Sequence, residues 1–126
     1  MKVLQSNLAP AAVGPYSQAV ETGNLVFLSG QLGIDRQTGQ LVDGIEAQTA
    51  QAFKNIEYVL AEAGLTLANV VKVLVLLADI NDFATVNGIY AEQFSEPYPA
   101  RSAFAVQALP LGARVEIEVI AEKEAK

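Results

Sequence analysis

Neither cysteine nor histidine occurs among the 126 residues of this chain. Without cysteine there is no disulfide and no thiolate nucleophile; without histidine no Ser-His or Cys-His relay can form. Zinc and iron sites of ordinary type lose their usual ligands as well. Any chemistry must run on Arg, Glu, Asp, Tyr, Ser, Asn, backbone groups and water. Charge is scarce too: charged residues make up 17% of the chain and apolar residues 52%, against a typical charged share of about 25%. A monomer of this size struggles to cover itself with so few charges. The surplus apolar surface is expected at a subunit interface, in an obligate homo-oligomer.

Clustered cations are missing. Eight Lys/Arg stand against 14 Asp/Glu, the net charge is −6, and no run of basic residues appears. That argues against nucleic acid as the main partner and against an anionic membrane surface. No apolar run reaches the roughly 18–20 residues that span a bilayer. Met1-Lys2-Val3-Leu4 is followed by polar Gln5-Ser6-Asn7, which is no apolar leader. The expectation is one soluble domain over residues 1–126, cytoplasmic by default.

The periodicity gives an order of elements. Residues 1–17, with Pro10, Gly14 and Pro15, read as a short strand and a loop. Gln18–Glu21 and Leu25–Leu28 flank Thr22-Gly23-Asn24, which is hairpin chemistry. From Ile45 to Ala63 the period becomes 3.6, with Thr49, Ala52, Phe53, Ile56 and Leu60 on one stripe and Gly64 as the stop. Asn69 to Ile80 is a nearly continuous Val/Leu strand, apolar on both faces. A second helix is expected over Asn81–Phe94, capped by Asn81 or Asp82, with Phe83, Val86, Tyr90 and Phe94 inward. Gly88 within it hints at close packing. Strands at Arg101–Ala108 and Arg114–Glu122 close the chain. This order points to an α+β fold, a mixed sheet with both helices on one face.

The most informative stretch is Tyr98-Pro99-Ala100-Arg101-Ser102. Pro97 and Pro99 stiffen the approach to Arg101, whose planar fork matches a carboxylate in two parallel hydrogen bonds. A small anionic metabolite is the first reading, and one half of a surface ion pair the plainer one. Alternation sorts Val115, Ile117, Val119 and Ala121 onto one face, and it sorts Phe104, Val106 and Ala108 likewise, both sets toward the helices. Arg101, Glu116 and Glu118 are then expected together on the face without helices, which only another subunit is available to cover. A solvated strand face, or an Arg–Glu pair fixing interface register, would explain Glu116 and Glu118 equally.

Gly14-Pro15-Tyr16-Ser17, Ser29-Gly30-Gln31, Asn87 with Tyr90, Pro99-Ala100-Arg101-Ser102 and Val115-Glu116-Ile117-Glu118 occur in an order that resembles the RidA (YjgF) family of enamine/imine deaminases, over about residues 4–122. The resemblance implies a chorismate-mutase-like α+β fold, a homotrimer with three clefts between subunits, and no metal or organic cofactor. The reaction it implies is hydrolysis of 2-aminoacrylate, 2-iminopropanoate and 2-iminobutanoate to 2-keto acids and ammonia. By the same resemblance Arg101 binds the substrate carboxylate with the Gly30 amide, and Glu118 orients or deprotonates water. Tyr16 walls the pocket, Asn87 supports the site, and the Ala103 carbonyl accepts a bond from the imino nitrogen. Many relatives carry cysteine where this chain has Ala103, so thiol-based regulation is not expected.

Two other functions fit the same residues. One is a non-catalytic 2-keto-acid sensor using the same cleft; the other is a ribonuclease or translation inhibitor, against which the acidic balance and absent histidine weigh. Ser29 and Ser102 have no visible general base, and Gly30-x-x-Gly33 lacks the lysine of a phosphate loop.

Overall fold

The computed structural model describes residues 1–124. Eleven regular elements follow one another as β1 (Lys2–Leu4), β2 (Ala19–Thr22), β3 (Leu25–Leu28), β4 (Gln31–Leu32), β5 (Ile34–Asp35), β6 (Gln40–Leu41), α1 (Ile45–Ala61), β7 (Val70–Leu77), α2 (Phe83–Gln93), β8 (Ala100–Ala105) and β9 (Val115–Glu122). The main sheet runs β1-β2-β3-β9-β7-β8, with β4 added on β9 beyond β3; β5 and β6 form a separate small hairpin. Among the described residues only β7 and β8 pair parallel, across the α2 crossover, and the other ladders are antiparallel. The mixed α+β architecture expected from the periodicity is present.

α1 forms where the 3.6 period predicts it, burying Thr49, Ala52, Phe53, Ile56, Val59 and Leu60. Gly64, at φ 73°, reverses the chain after it in a conformation that costs other residues a steric penalty. α1 packs on α2, β4 and β9. Its backbone at Gln48 comes so close to Gly33 that a Cβ there would collide with it, which locks the segment after β4 against the helix. α2 contributes Val86 and Tyr90 to the same core, which meets Val73, Val75 and Leu77 of β7 and Val115, Ile117, Val119 and Ala121 of β9.

Several expectations need correction. The side chain that caps the turn into α2 is Asp79, which accepts from the Asn81 amide; Asp82 makes no capping bond and instead pairs with Arg114 at 3.0 Å. Gly88 is exposed with open space where a Cβ would stand, so close packing does not explain it. β8 ends at Ala105, short of the expected Ala108.

The largest correction concerns the faces of β8. Its register sets Arg101 beside Val73, Ala103 beside Val75 and Ala105 beside Leu77, the core-facing residues of β7. Arg101 therefore lies on the helix side. Phe104, beside Leu76, lies on the open side and is 48% exposed. β9 keeps its expected orientation, with Glu116 beside Leu76 and Glu118 beside Leu74 on the open side. Arg101 and Glu118 do not share a face within one chain. Alternation misled because both faces of β7 are apolar, so an apolar residue on β8 does not mark the core side. The open side carries Phe27, Leu74, Leu76, Phe104 and Ile120, none of them fully buried in the chain. Among the described residues no helix is long and apolar enough to cross a membrane.

Candidate functional site

On the helix side the site residues are Arg101, Asn87 and Tyr90. Nη1 of Arg101 donates to Oδ1 of Asn87 at 2.6 Å. The guanidinium carbon lies 4.6 Å from the centre of the Tyr90 ring and 5.5 Å from that of Phe83, both on or at the start of α2. A guanidinium over aromatic faces is favoured by the ring quadrupole and loses less hydration than an ammonium would. Tyr90 is itself fixed, edge-on to Phe53 at 6.0 Å and tilted against Phe94 at 4.8 Å between ring centres. Burial pushes its phenol above the usual range, against the opposing pull of the Arg101 charge, so the ring stays neutral beneath the cation. No ion pair joins Arg101 to a carboxylate among the described residues. The plain reading of Arg101 as half of a surface ion pair within the chain is therefore not what the structure contains.

On the open side Tyr16, Ser29, Gly30, Glu116 and Glu118 come together. Tyr16 and Ser29 line both of two adjoining hollows and form the wall that the two share. One, with Pro15, Val20 and Phe27, is lined by Glu118. The other, a cavity of about 680 Å³, is lined by Gly30, Gln31, Leu111 and Glu116. The wall is held by polar bonds that periodicity cannot reveal. Oγ of Ser29 donates to the Ser17 carbonyl at 2.6 Å. The buried amide of Gln18 accepts from the Ser6 amide at 2.7 Å and donates to the Pro10 carbonyl at 2.8 Å, fixing the loop that carries Tyr16. The buried Gln48 of α1 ties the start of β9 to that helix in the same way, accepting from the Arg114 amide at 2.9 Å.

Gly30 sits between β3 and β4, outside the ladder. The space a Cβ would take there is occupied by the carboxyl of Glu116. Glycine at position 30 thus has a packing reason within the chain, besides leaving the main chain open to a ligand. Burial first, and the neighbouring Glu118 second, push the Glu116 carboxyl above the ordinary glutamate range. Ala103, flanking Arg101 on the edge strand β8, turns its side chain to the core. No three His, Cys, Asp or Glu side chains among the described residues form a group that could hold a metal ion.

Of the six anticipated positions, Arg101, Asn87 and Ala103 lie on the helix side, and Tyr16, Gly30 and Glu118 lie on the open side. Within one chain the two groups do not meet. Phe83, the second ring near Arg101, was expected only as an inward core residue, and Glu116, expected on the same face as Glu118, was given no role. The i, i+2 spacing of Glu116 and Glu118 was the available signal for the latter.

Comparison with known proteins gives a consistent picture. A sequence profile of the family described as Endoribonuclease L-PSP matches residues 6–123. The bovine protein named 2-iminobutanoate/2-iminopropanoate deaminase is 54% identical over 95% of this chain and 88% of its own length. The crystal structure of RidA from an Antarctic Psychrobacter species superposes with a TM-score of 0.94 at 50% identity, over 97% of this chain and 99% of that one. The structure of Escherichia coli TdcF, solved with bound serine, has a TM-score of 0.93 at 37% identity, over 98% of this chain and all of that one (100%).

Proposed function

This chain belongs to the Endoribonuclease L-PSP family and to its RidA (YjgF) members, and on that premise we propose that it is a 2-iminobutanoate/2-iminopropanoate deaminase. It hydrolyses short enamine and imine acids to 2-keto acids and ammonia, in the cytoplasm, as a homotrimer with three clefts between copies. Each cleft joins the Arg101 half of one copy to the Glu118 half of the next. The observation that carries the reading is the division of charge. A held guanidinium with no carboxylate partner among the described residues lies on one side of the sheet, and two carboxylates beside an apolar surface lie on the other. The serine found in TdcF supports a small carboxylate-bearing ligand.

In the reaction the Arg101 fork and the Gly30 amide take the substrate carboxylate, while Tyr16 closes the wall and Asn87 keeps the fork aligned. Glu118 removes a proton from water as its oxygen bonds to C2, and the π electrons of the C=N bond move onto nitrogen. The proton held by Glu118 then passes to that nitrogen. The hydroxyl proton of the intermediate then passes through Glu118 to the same nitrogen as the C–N bond breaks, so that ammonia leaves and the oxygen becomes the keto oxygen. The Ala103 carbonyl accepts from the nitrogen throughout.

Magnitudes suffice, because imines hydrolyse in water unaided. One charge-assisted hydrogen bond, worth roughly 1.5–3 kcal/mol, supplies about ten- to a hundredfold if spent in the transition state. A positioned general base adds typically about 10²–10⁴. The test is to generate the imine in situ and time keto-acid formation. Wild type is expected to exceed the spontaneous rate and Arg101→Ala to match it. Equality of both with the spontaneous rate would leave only a keto-acid sensor. Nuclease activity that survives substitution of both Arg101 and Glu118 would mark a contaminant.

A further inference from the structure

Leu111, on the loop before β9, carries two costs that nothing in its own chain offsets. Among the described residues it is the one non-glycine residue at positive φ (φ 60°, ψ 16°), a left-handed conformation in which its Cβ crowds the backbone. Glycine or asparagine would stand there more easily. Its side chain is also 74% exposed and lies outside the core, so its apolar surface gains no burial. The turn is imposed from both sides. Pro110 precedes it, and the buried Ala113 closes it by donating its amide to the Pro110 carbonyl at 3.0 Å. Strain held in place by its surroundings is a mark of ligand-contacting segments.

The cavity that Leu111 borders accounts for both costs. Gly30, whose amide is assigned to the substrate carboxylate, lies in the same lining, together with apolar Pro10, Val13 and Ile34. At about 680 Å³ the cavity falls in the range that holds drug-sized ligands, and a three- or four-carbon acid fills only a small part of it. Val13 is 86% exposed, a second apolar side chain left open beside the same space.

We propose that Leu111 is a specificity-determining residue that reads the side chain of the substrate, favouring a branched aliphatic tail over a methyl group. With the carboxylate held at Gly30, a branched tail covers Leu111 and Val13 and takes their apolar surface out of water. A methyl group leaves both exposed. The left-handed turn sets the leucine at the rim of the cavity, so the strained backbone and the exposed side chain belong to one device. The discrimination lies in the tail alone, since the acid and imine ends are the same for every substrate of the class.

This inference rests on the deaminase reading, and the experiment separates the two. An amino-acid oxidase generates 2-imino-4-methylpentanoate from leucine and 2-iminopropanoate from alanine. Keto-acid formation then gives kcat/KM on each for wild type, Leu111→Gly and Leu111→Met. Wild type is expected to prefer the branched imine. Leu111→Gly, whose backbone suits the turn, should lower the branched-to-methyl ratio by about tenfold, the scale of a lost apolar contact. Its kcat/KM on the methyl imine should stay within about twofold of wild type, the scatter of surface substitutions. Leu111→Met, apolar and of similar volume, should retain most of the ratio. Thermal unfolding and gel filtration report the fold and size of each variant. A wild type without the preference, or a Leu111→Gly ratio within about twofold of wild type, overturns the proposal and leaves the deaminase reading standing. A Leu111→Gly protein that comes apart into single chains overturns it too, because a neighbouring copy then covers this side chain. If wild type accelerates neither imine, both readings fall.

Discussion

Arg101 on the helix side and the Glu116–Glu118 pair on the open side are the two halves of one proposed site, and the chain treats them in opposite ways. Arg101 is held by an amide at 2.6 Å and by two aromatic rings, all from its own chain. Its direction is set before any ligand arrives, so little rotamer freedom remains to be lost on binding. Glu116 and Glu118 have apolar and like-charged neighbours, and one of them is held in a state that disfavours its charge. One half is braced by its own chain; the other is left uncompensated within it. Unbalanced charge of this kind is what a binding surface retains and a purely structural one removes.

The comparison breaks most completely at Arg101. Arg101→Ala should return keto-acid formation to the spontaneous rate, measured with imine generated in situ. Glu118→Gln removes the base but keeps the shape, and kcat should fall by about 10²–10⁴ with a smaller change in KM. Asn87→Ala takes away one brace from a cation that keeps its rings. It should raise KM by roughly three- to tenfold, the loss of one hydrogen bond, and leave kcat nearer to wild type.

The smallest effect is on stability. Glu116 has a folded-state proton affinity above its ordinary value of 4.5, so the folded chain binds more protons than the unfolded one in the window above that value. Its favourable contribution is present below 4.5 and is lost as pH rises through the folded pKa. Glu116→Gln should therefore melt higher than wild type at neutral pH, and the gap should close on acidification toward pH 4. Thermal unfolding followed across that range checks it; a gap that widens in acid would contradict the sign.

What could be read in the residues alone divides along similar lines. α1 and β9 were legible because each has one apolar and one polar face, so period and burial agree. Arg101, Glu118, Gly30, Tyr16 and Asn87 were singled out through motif resemblance alone. The face of β8 was not, because it borders a strand apolar on both sides and forms the sheet edge, where Phe104 lies exposed. The bracing by Gln18 and Gln48 was hidden too. Each amide reaches partners 8 to 66 positions away, a link that no local pattern carries. Alternation set Glu116 beside Glu118 but could not tell the two apart, because the close approach of Gly30 to Glu116 comes from a distant part of the chain.

The most direct measurement mixes two inactive proteins. Arg101→Ala and Glu118→Gln are purified separately, exchanged into mixed oligomers under mild denaturant, and assayed for keto-acid formation from imine. If each cleft draws Arg101 from one copy and Glu118 from its neighbour, random assembly pairs two intact residues in about a quarter of the clefts, and about that share of wild-type activity should return. Mixed oligomers that form yet stay at the spontaneous rate would show that the two half-sites do not meet across the contact.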